Sequence, residues 1–188
     1  IAGLGNEALV LTDTTLAAST LNSLDSETSG SITASTLNTV TGLASDVNSA
    51  YSSDGISGLG NEAITLTDTS ISSTFINLVN GNSSGDVDAS SVTTISGTLT
   101  NVLSVYASSD NDEITGLGNE AISLSDTSIT AANLTTLDGK TSGVINASTV
   151  NTITGTASAA NAAYASDGII NLGDEAITLT ESSVAAAD

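Results

Sequence analysis

The stretch GLGNEAITLTDTSI, Gly58 to Ile71, decides how this chain is read. Its first six residues satisfy a glycine fingerprint, G-x-G-x-x-A, with Gly58, Gly60 and Ala63. In a dinucleotide-binding unit such glycines lie between a strand and the helix that receives the pyrophosphate. Here they recur. GLGNEA begins at Gly3, Gly58 and Gly116, and NLGDEA begins at Asn171, at spacings of 55, 58 and 55. A cofactor needs one copy, and Glu7, Glu62, Glu120 and Glu175 would repel phosphate. The glycines are expected to form a tight corner between two strands.

A period of this length marks a stacked array. The long repeats run approximately 3–57, 58–115, 116–170 and 171–188, the last partial, and Tyr51, Tyr106 and Tyr164 keep the same rhythm. The second repeat is longer by three residues, which fall in ASSDNDEITG, Ala107 to Gly116. Each repeat divides again. A large aliphatic residue between small ones recurs at Leu11, Val40, Leu66, Ile95, Leu124, Ile153 and Leu179, with gaps of 29, 26, 29, 29, 29 and 26. Alternation with β-branched neighbours reads as a strand with one face inward. A shorter apolar element precedes it at Ile32, Ile56, Val87, Ile114, Val144 and Ile169, in most units after a glycine turn signal.

A helical stretch follows each main strand. Asp126 to Lys140 carries Ile129, Leu134 and Leu137 near helical spacing, with Gly139 placed as a left-handed cap. Gly97 to Asp110 carries Leu99, Val102, Leu103 and Tyr106 on one stripe. Asp126 or Ser128, and Thr98, are the expected N-caps. One continuous helix from Val92 to Tyr106 is the rival reading, but it places Gly97 in a helix interior at a cost of ~1 kcal/mol. The expected fold is a repeat solenoid with residues 1–188 as a single segment. Parallel β-strands and short α-helices form coils of about 26–29 residues, paired into an A–B repeat of about 55–58 residues. Such a fold is leucine-rich-repeat-like or β-solenoid-like. Strands pair ~4.8 Å apart and helices pack ~8–10 Å apart, so one of each per coil would splay the helical side and curve the stack.

Composition narrows function. The chain has 21 acids against one base, Lys140, for a net charge of -20. Nucleic acid and anionic membrane surfaces are excluded as partners by repulsion. With no His and no Cys, neither a Ser-His or Cys-His pair nor a zinc site of the usual ligands can form. An enzyme is not expected and no cofactor is required. A cysteine-free chain suits an extracellular protein built without disulfides. Aromatics are 2% of residues, so the core must be aliphatic. No run reaches the ~18 apolar residues of a membrane span, so no membrane insertion is expected. DGKT, Asp138 to Thr141, resembles the end of a phosphate-binding loop, but Leu134 stands where that loop needs glycine.

Oxygen ligands leave calcium open. Asp110, Asp112 and Glu113, in the insertion, are the candidate ligands, and GDVDAS adds Asp86 and Asp88 nearby. The recurring column Asp13, Asp68, Asp126 and Glu181 alternates with Gly42, Gly97 and Gly155. Its acids would lie two strand spacings apart, ~9–10 Å. One ion with ~2.3–2.6 Å bonds cannot bridge that distance. Thr and Ser on both sides of each aliphatic residue would also form a T-x-T ladder of the ice-binding kind if they face outward.

The segments AITLTDTSI, AANLTTLDGKTSGVINASTVNTITGTAS and AAYASDGI resemble the tandem-repeat regions of giant secreted cyanobacterial cell-surface proteins of adhesin, outer-layer or motility-associated type. The resemblance covers the whole chain. It implies an extracellular or cell-surface location and supplies no catalytic residue. The expected function is a structural repeat module: a spacer, an adhesin stalk, or a subunit of a surface layer or filament. The alternative is a calcium-dependent or ice- or glycan-binding repeat module. Both ends read like interior units, without polar capping repeats. The expected partners are therefore copies of the chain or neighbouring repeats stacked end to end, with divalent cations bridging the acids.

Overall fold

The computed structural model describes residues 3–183. The chain runs β1 (Leu9–Val10), β2 (Thr15–Ala17), α1 (Ala18–Glu27), β3 (Ile32–Thr33), β4 (Thr39–Gly42), α2 (Ala44–Tyr51) and β5 (Ile56–Ser57). It continues through β6 (Ala63–Leu66), β7 (Ser70–Ser72), α3 (Ser73–Asn82), β8 (Val87–Asp88), β9 (Thr94–Gly97), α4 (Leu99–Asp110) and β10 (Ile114–Thr115). The last described stretch holds β11 (Ala121–Leu124), β12 (Ser128–Thr130), α5 (Ala131–Asp138), β13 (Ile145–Asn146), β14 (Thr152–Gly155), α6 (Ala157–Ala165), β15 (Ile169–Ile170) and β16 (Ala176–Leu179). This is an α/β fold in which short parallel strands alternate with helices. Val92 to Tyr106 is not one helix: β9 ends at Gly97 and α4 begins at Leu99.

Two kinds of half-repeat alternate. An A-type unit has three strands before its helix, as in β5, β6, β7 and α3, and a B-type unit has two, as in β8, β9 and α4. The strand just before each A-type helix is not legible in the sequence. It is three residues long, and its central Ile71 or Ile129 also fits the helical spacing that follows.

That extra strand changes the register. Helix starts at Ala18, Ala44 and Ser73 keep the alternating intervals, 26 and then 29, read from the sequence. The ladders do not. Thr15 pairs with Thr39 and Thr39 with Ala63, equal steps that are shorter than either helix interval. The aliphatic column drawn from sequence is therefore two kinds of position. Val40 lies between Leu16 and Ile64, Ile95 between Ile71 and Ile122, and Ile153 between Ile129 and Ile177. Leu66, Leu124 and Leu179 instead face Gly42, Gly97 and Gly155. All four residues expected in the core, Leu66, Ile95, Leu124 and Ile153, are buried. In the shorter element, Ile145 rather than Val144 pairs with Ile122 and Ile169, and Val144 is 47% exposed. Adjacent strand residues point to opposite faces, so a one-residue slip in reading exchanges inside for outside.

The strand layer is not one growing sheet. Five-stranded sheets run β2-β4-β6-β8-β10 and β7-β9-β11-β13-β15, flanked by three-stranded sheets β1-β3-β5 and β12-β14-β16. New sheets start at β2, β7 and β12, in three successive A-type units. Within each sheet every half-repeat still adds one paired strand per helix, at ~4.8 Å against helix packing at ~8–10 Å.

The helices are capped across the repeat as well as locally. Thr98, Thr130 and Thr156 accept the N–H of Asn101, Asn133 and Ala159 within their own helices. The acid column serves the preceding unit. Asp68 accepts the Ala44 N–H at 2.8 Å, Asp126 the Leu99 N–H at 2.7 Å and Glu181 the Ala157 N–H at 2.8 Å. Asp126 thus caps α4, not α5, and Ser128 lies in β12. Carboxylates here meet orphan amides and the positive end of a helix dipole together, each effect worth about 1 kcal/mol. Gly139 closes α5 with a right-handed backbone, φ −76°, not a left-handed one.

Candidate functional site

The most conspicuous polar grouping is the glycine corner between β5 and β6, repeated between β10 and β11 and between β15 and β16. Gly58 and Gly116 adopt φ +84°, where side chains are strained, and a Cβ on Gly58 would lie 2.9 Å from the Ser35 nitrogen. The turn folds the glutamate carboxylate back onto the corner's own amides. Glu62 Oε2 accepts from Gly60 N–H at 2.8 Å and from Asn61 N–H at 3.2 Å. Glu120 accepts from Gly118 N–H, and Glu175 from Gly173 N–H. The amides that a phosphate would need are already taken by a carboxylate of the same loop.

Each carboxylate also receives a tyrosine hydroxyl from the preceding B-type helix or its end. Tyr51, Tyr106 and Tyr164 donate to Glu62, Glu120 and Glu175, each at 2.7 Å. Glu62 is 1% and Glu120 0% exposed. The couple is visible in the sequence as two rhythms but not as one contact. The tyrosine precedes its glutamate by 11 residues in two repeats and by 14 in the repeat with the insertion. Glu7 is exposed.

The following B-type unit locks the corner from the other side. The Ser83 hydroxyl donates to the Glu62 carbonyl at 2.6 Å, and Thr28 and Thr141 do the same to Glu7 and Glu120 at 2.7 Å. The Gly85 and Gly143 amides donate back to the Ser83 and Thr141 hydroxyls. A Cβ at Gly143 would lie 2.3 Å from the Glu120 carbonyl oxygen, so only glycine fits.

These contacts set the proton affinities. Burial first, then the bond to Glu62 or Glu120 and the charge beside it, push Tyr51 and Tyr106 well above the ordinary tyrosine value of 10. The same causes push Tyr164 up to about 12. Burial acts to raise Glu175, but bonds from Tyr164 and the corner amides outweigh it and hold the carboxyl below its ordinary 4.5. A raised tyrosine value in the folded state means stability is whole below pH 10. Above it the unfolded chain loses its tyrosine protons first, and stability falls, for Tyr164 until about pH 12. Alkaline thermal melting followed by tyrosinate absorbance should show this loss. A triple Tyr51→Phe, Tyr106→Phe, Tyr164→Phe variant should melt with a flatter alkaline profile; an unchanged slope would refute the assignment.

The three calcium candidates lie at the end of α4 and in the turn that follows it. Asp110 ends α4 and forms an ion pair with Lys140. Asp112 sits at φ +63° in the turn, and Glu113 Oε2 accepts from Asn80 Nδ2 at 3.3 Å. Glu113 and Asp86 line a cleft of about 380 Å³ with Asn80, Ser83, Ser84 and Gly85. Asp88 is held below the ordinary carboxyl range by the Ser90 side chain and amide. Among the described residues no three acids gather in a group able to hold a metal ion. Lys140, at the DGKT stretch, is engaged by Asp110 rather than facing a phosphate loop. The T-x-T ladder is interrupted, because Ala63, Ala121 and Ala176 face Thr39, Thr94 and Thr152.

No helix among the described residues is long and apolar enough to cross a membrane. Comparison with known protein families, curated proteins and solved structures finds no match to this chain.

Proposed function

We propose that this chain is a structural repeat module of an extracellular or cell-surface solenoid, a spacer, stalk, or subunit of a layer or filament, and that it carries no catalysis. The observation that supports this reading is the fate of its polar groups. The corner carboxylates, buried at Glu62 and Glu120, recur with the repeat, and a tyrosine hydroxyl of the preceding repeat and amides of their own loop bind them. Their chemistry is consumed in joining one unit to the next. The cysteine-free composition and the resemblance to secreted cyanobacterial repeat regions favour an outside location. Its partners on this reading are neighbouring repeats stacked end to end, with divalent cations screening a net charge of -20.

A stacked module grows in one dimension. Two helices are added per A–B repeat, so inserting one further copy of residues 58–115 should lengthen the particle by about 20 Å in solution scattering. Growth in all directions at constant cross-section ratio would reject the stacked reading.

A further inference from the structure

We infer that the outer face of α3, which carries Phe75 and Leu78, is a lateral contact with a second copy of the chain. The contact goes beyond end-to-end stacking, because α3 lies inside the stack, packed between α2 and α4.

The inward side of α3 is ordinary: Ser73, Ile76 and Val79 are buried. Its outer side carries Thr74, Phe75, Leu78 and Gly81. Phe75, the single phenylalanine of the chain, is 40% exposed and Leu78 is 45% exposed. Counted from the helix starts, the position of Phe75 holds Thr20, Asp46, Asn101, Asn133 and Ala159 in the other described helices. The position of Leu78 holds Ser23, Ser49, Ser104, Thr136 and Ala162. Small or polar side chains thus satisfy the repeat at both places, and the core does not call for an apolar pair there. Gly81 adds an independent observation. Its φ is not positive, and a Cβ there would meet nothing within 4 Å in its own chain. Glycine weakens a helix by up to ~1 kcal/mol against alanine. Nothing inside the chain requires glycine at this place, whereas the close approach of a second backbone does.

Charge selects the occupant. The chain carries a net charge of -20, yet no residue of α3 is charged. A basic partner, the complement of the acidic surface elsewhere, finds no carboxylate on this helix to pair with. An anionic membrane is repelled by the chain as a whole. What fits is an uncharged face with an apolar pair of its own, and a second copy presents one. A two-fold axis across α3 sets the two helices antiparallel, with Phe75 of each copy against Leu78 of the other. Gly81 then leaves room for the first turn of the facing helix. Such a contact is isologous and closes as a dimer. It is far smaller than the ~1,000 Å² of a stable interface, so the pair forms weakly.

Sedimentation equilibrium of the 188-residue chain tests the contact, at up to about 2 mM protein in about 0.5 M salt, which screens the net charge. The average mass should rise with concentration toward that of a dimer. Phe75→Asn combined with Leu78→Ser installs residue types that Asn133 and Ser104 already hold at these positions. It should weaken association at least about tenfold and leave the thermal midpoint unchanged. Gly81→Ala should weaken association by about threefold or more without lowering the midpoint. In a mixture of isotope-labelled and unlabelled copies, a filtered NOE should join the Phe75 ring of one to the Leu78 methyls of the other. A chain that stays monomeric overturns the contact. So does association that the double variant leaves unchanged, as copies meeting only end to end would give. Undiminished association of Gly81→Ala overturns the close approach of the two helices. The repeat-module reading is judged separately, by the lengthening seen in scattering.

Discussion

Glu120→Leu is expected to destabilise the fold by about 3–5 kcal/mol, read from the midpoint of urea unfolding. The carboxylate exposes no surface and binds the Tyr106 hydroxyl and the Gly118 amide. Leucine leaves both donors buried without an acceptor, and that desolvation sets the size of the effect. Glu120→Gln keeps an acceptor oxygen and should cost about half as much or less. Glu7→Leu is the internal control, since Glu7 is exposed, and its cost should stay within about 0.5 kcal/mol. Equal losses at Glu7 and Glu120 would mean that the leucine, not the lost couple, is responsible.

Ile95→Ala should cost about 2–4 kcal/mol by the same measurement. Ile95 is fully buried between Ile71 and Ile122, its ladder neighbours. Those neighbours are fixed by backbone pairing at ~4.8 Å and cannot close over the cavity. Ile177 occupies the equivalent ladder position beside Ile153 but is 49% exposed, so Ile177→Ala should cost less than about 1 kcal/mol. A flat profile across the two sites would contradict the ladder order.

The alternation of strands and helices is legible because Thr-Ile-Thr-Gly and the capping Thr98 carry local signals that tertiary contacts do not overturn. The ladder register is not. Leu66 and Ile95 look alike in a sequence window, yet one faces glycine and the other isoleucine, because β7 intervenes between β6 and its helix. Three residues carry too little periodicity to announce a strand. Asp126 looks like the cap of the helix that follows it; its target across 27 residues depends on how units stack, which no local pattern records. The tyrosine and glutamate rhythms are both plain. Joining them requires knowing that a helix end and the next corner converge.

Overlapping sheets have a mechanical meaning. In the A-type unit that contains α5, β10 closes one sheet, β11 runs through the middle of a second, and β12 opens a third. Each boundary between neighbouring half-repeats is therefore crossed by two ladders from different sheets, such as β6–β8 with β7–β9. Tension along the stack cannot open one seam from end to end. It must rupture two ladders at one boundary, and what they carried passes through covalent backbone from one sheet to the next, as in a lap joint.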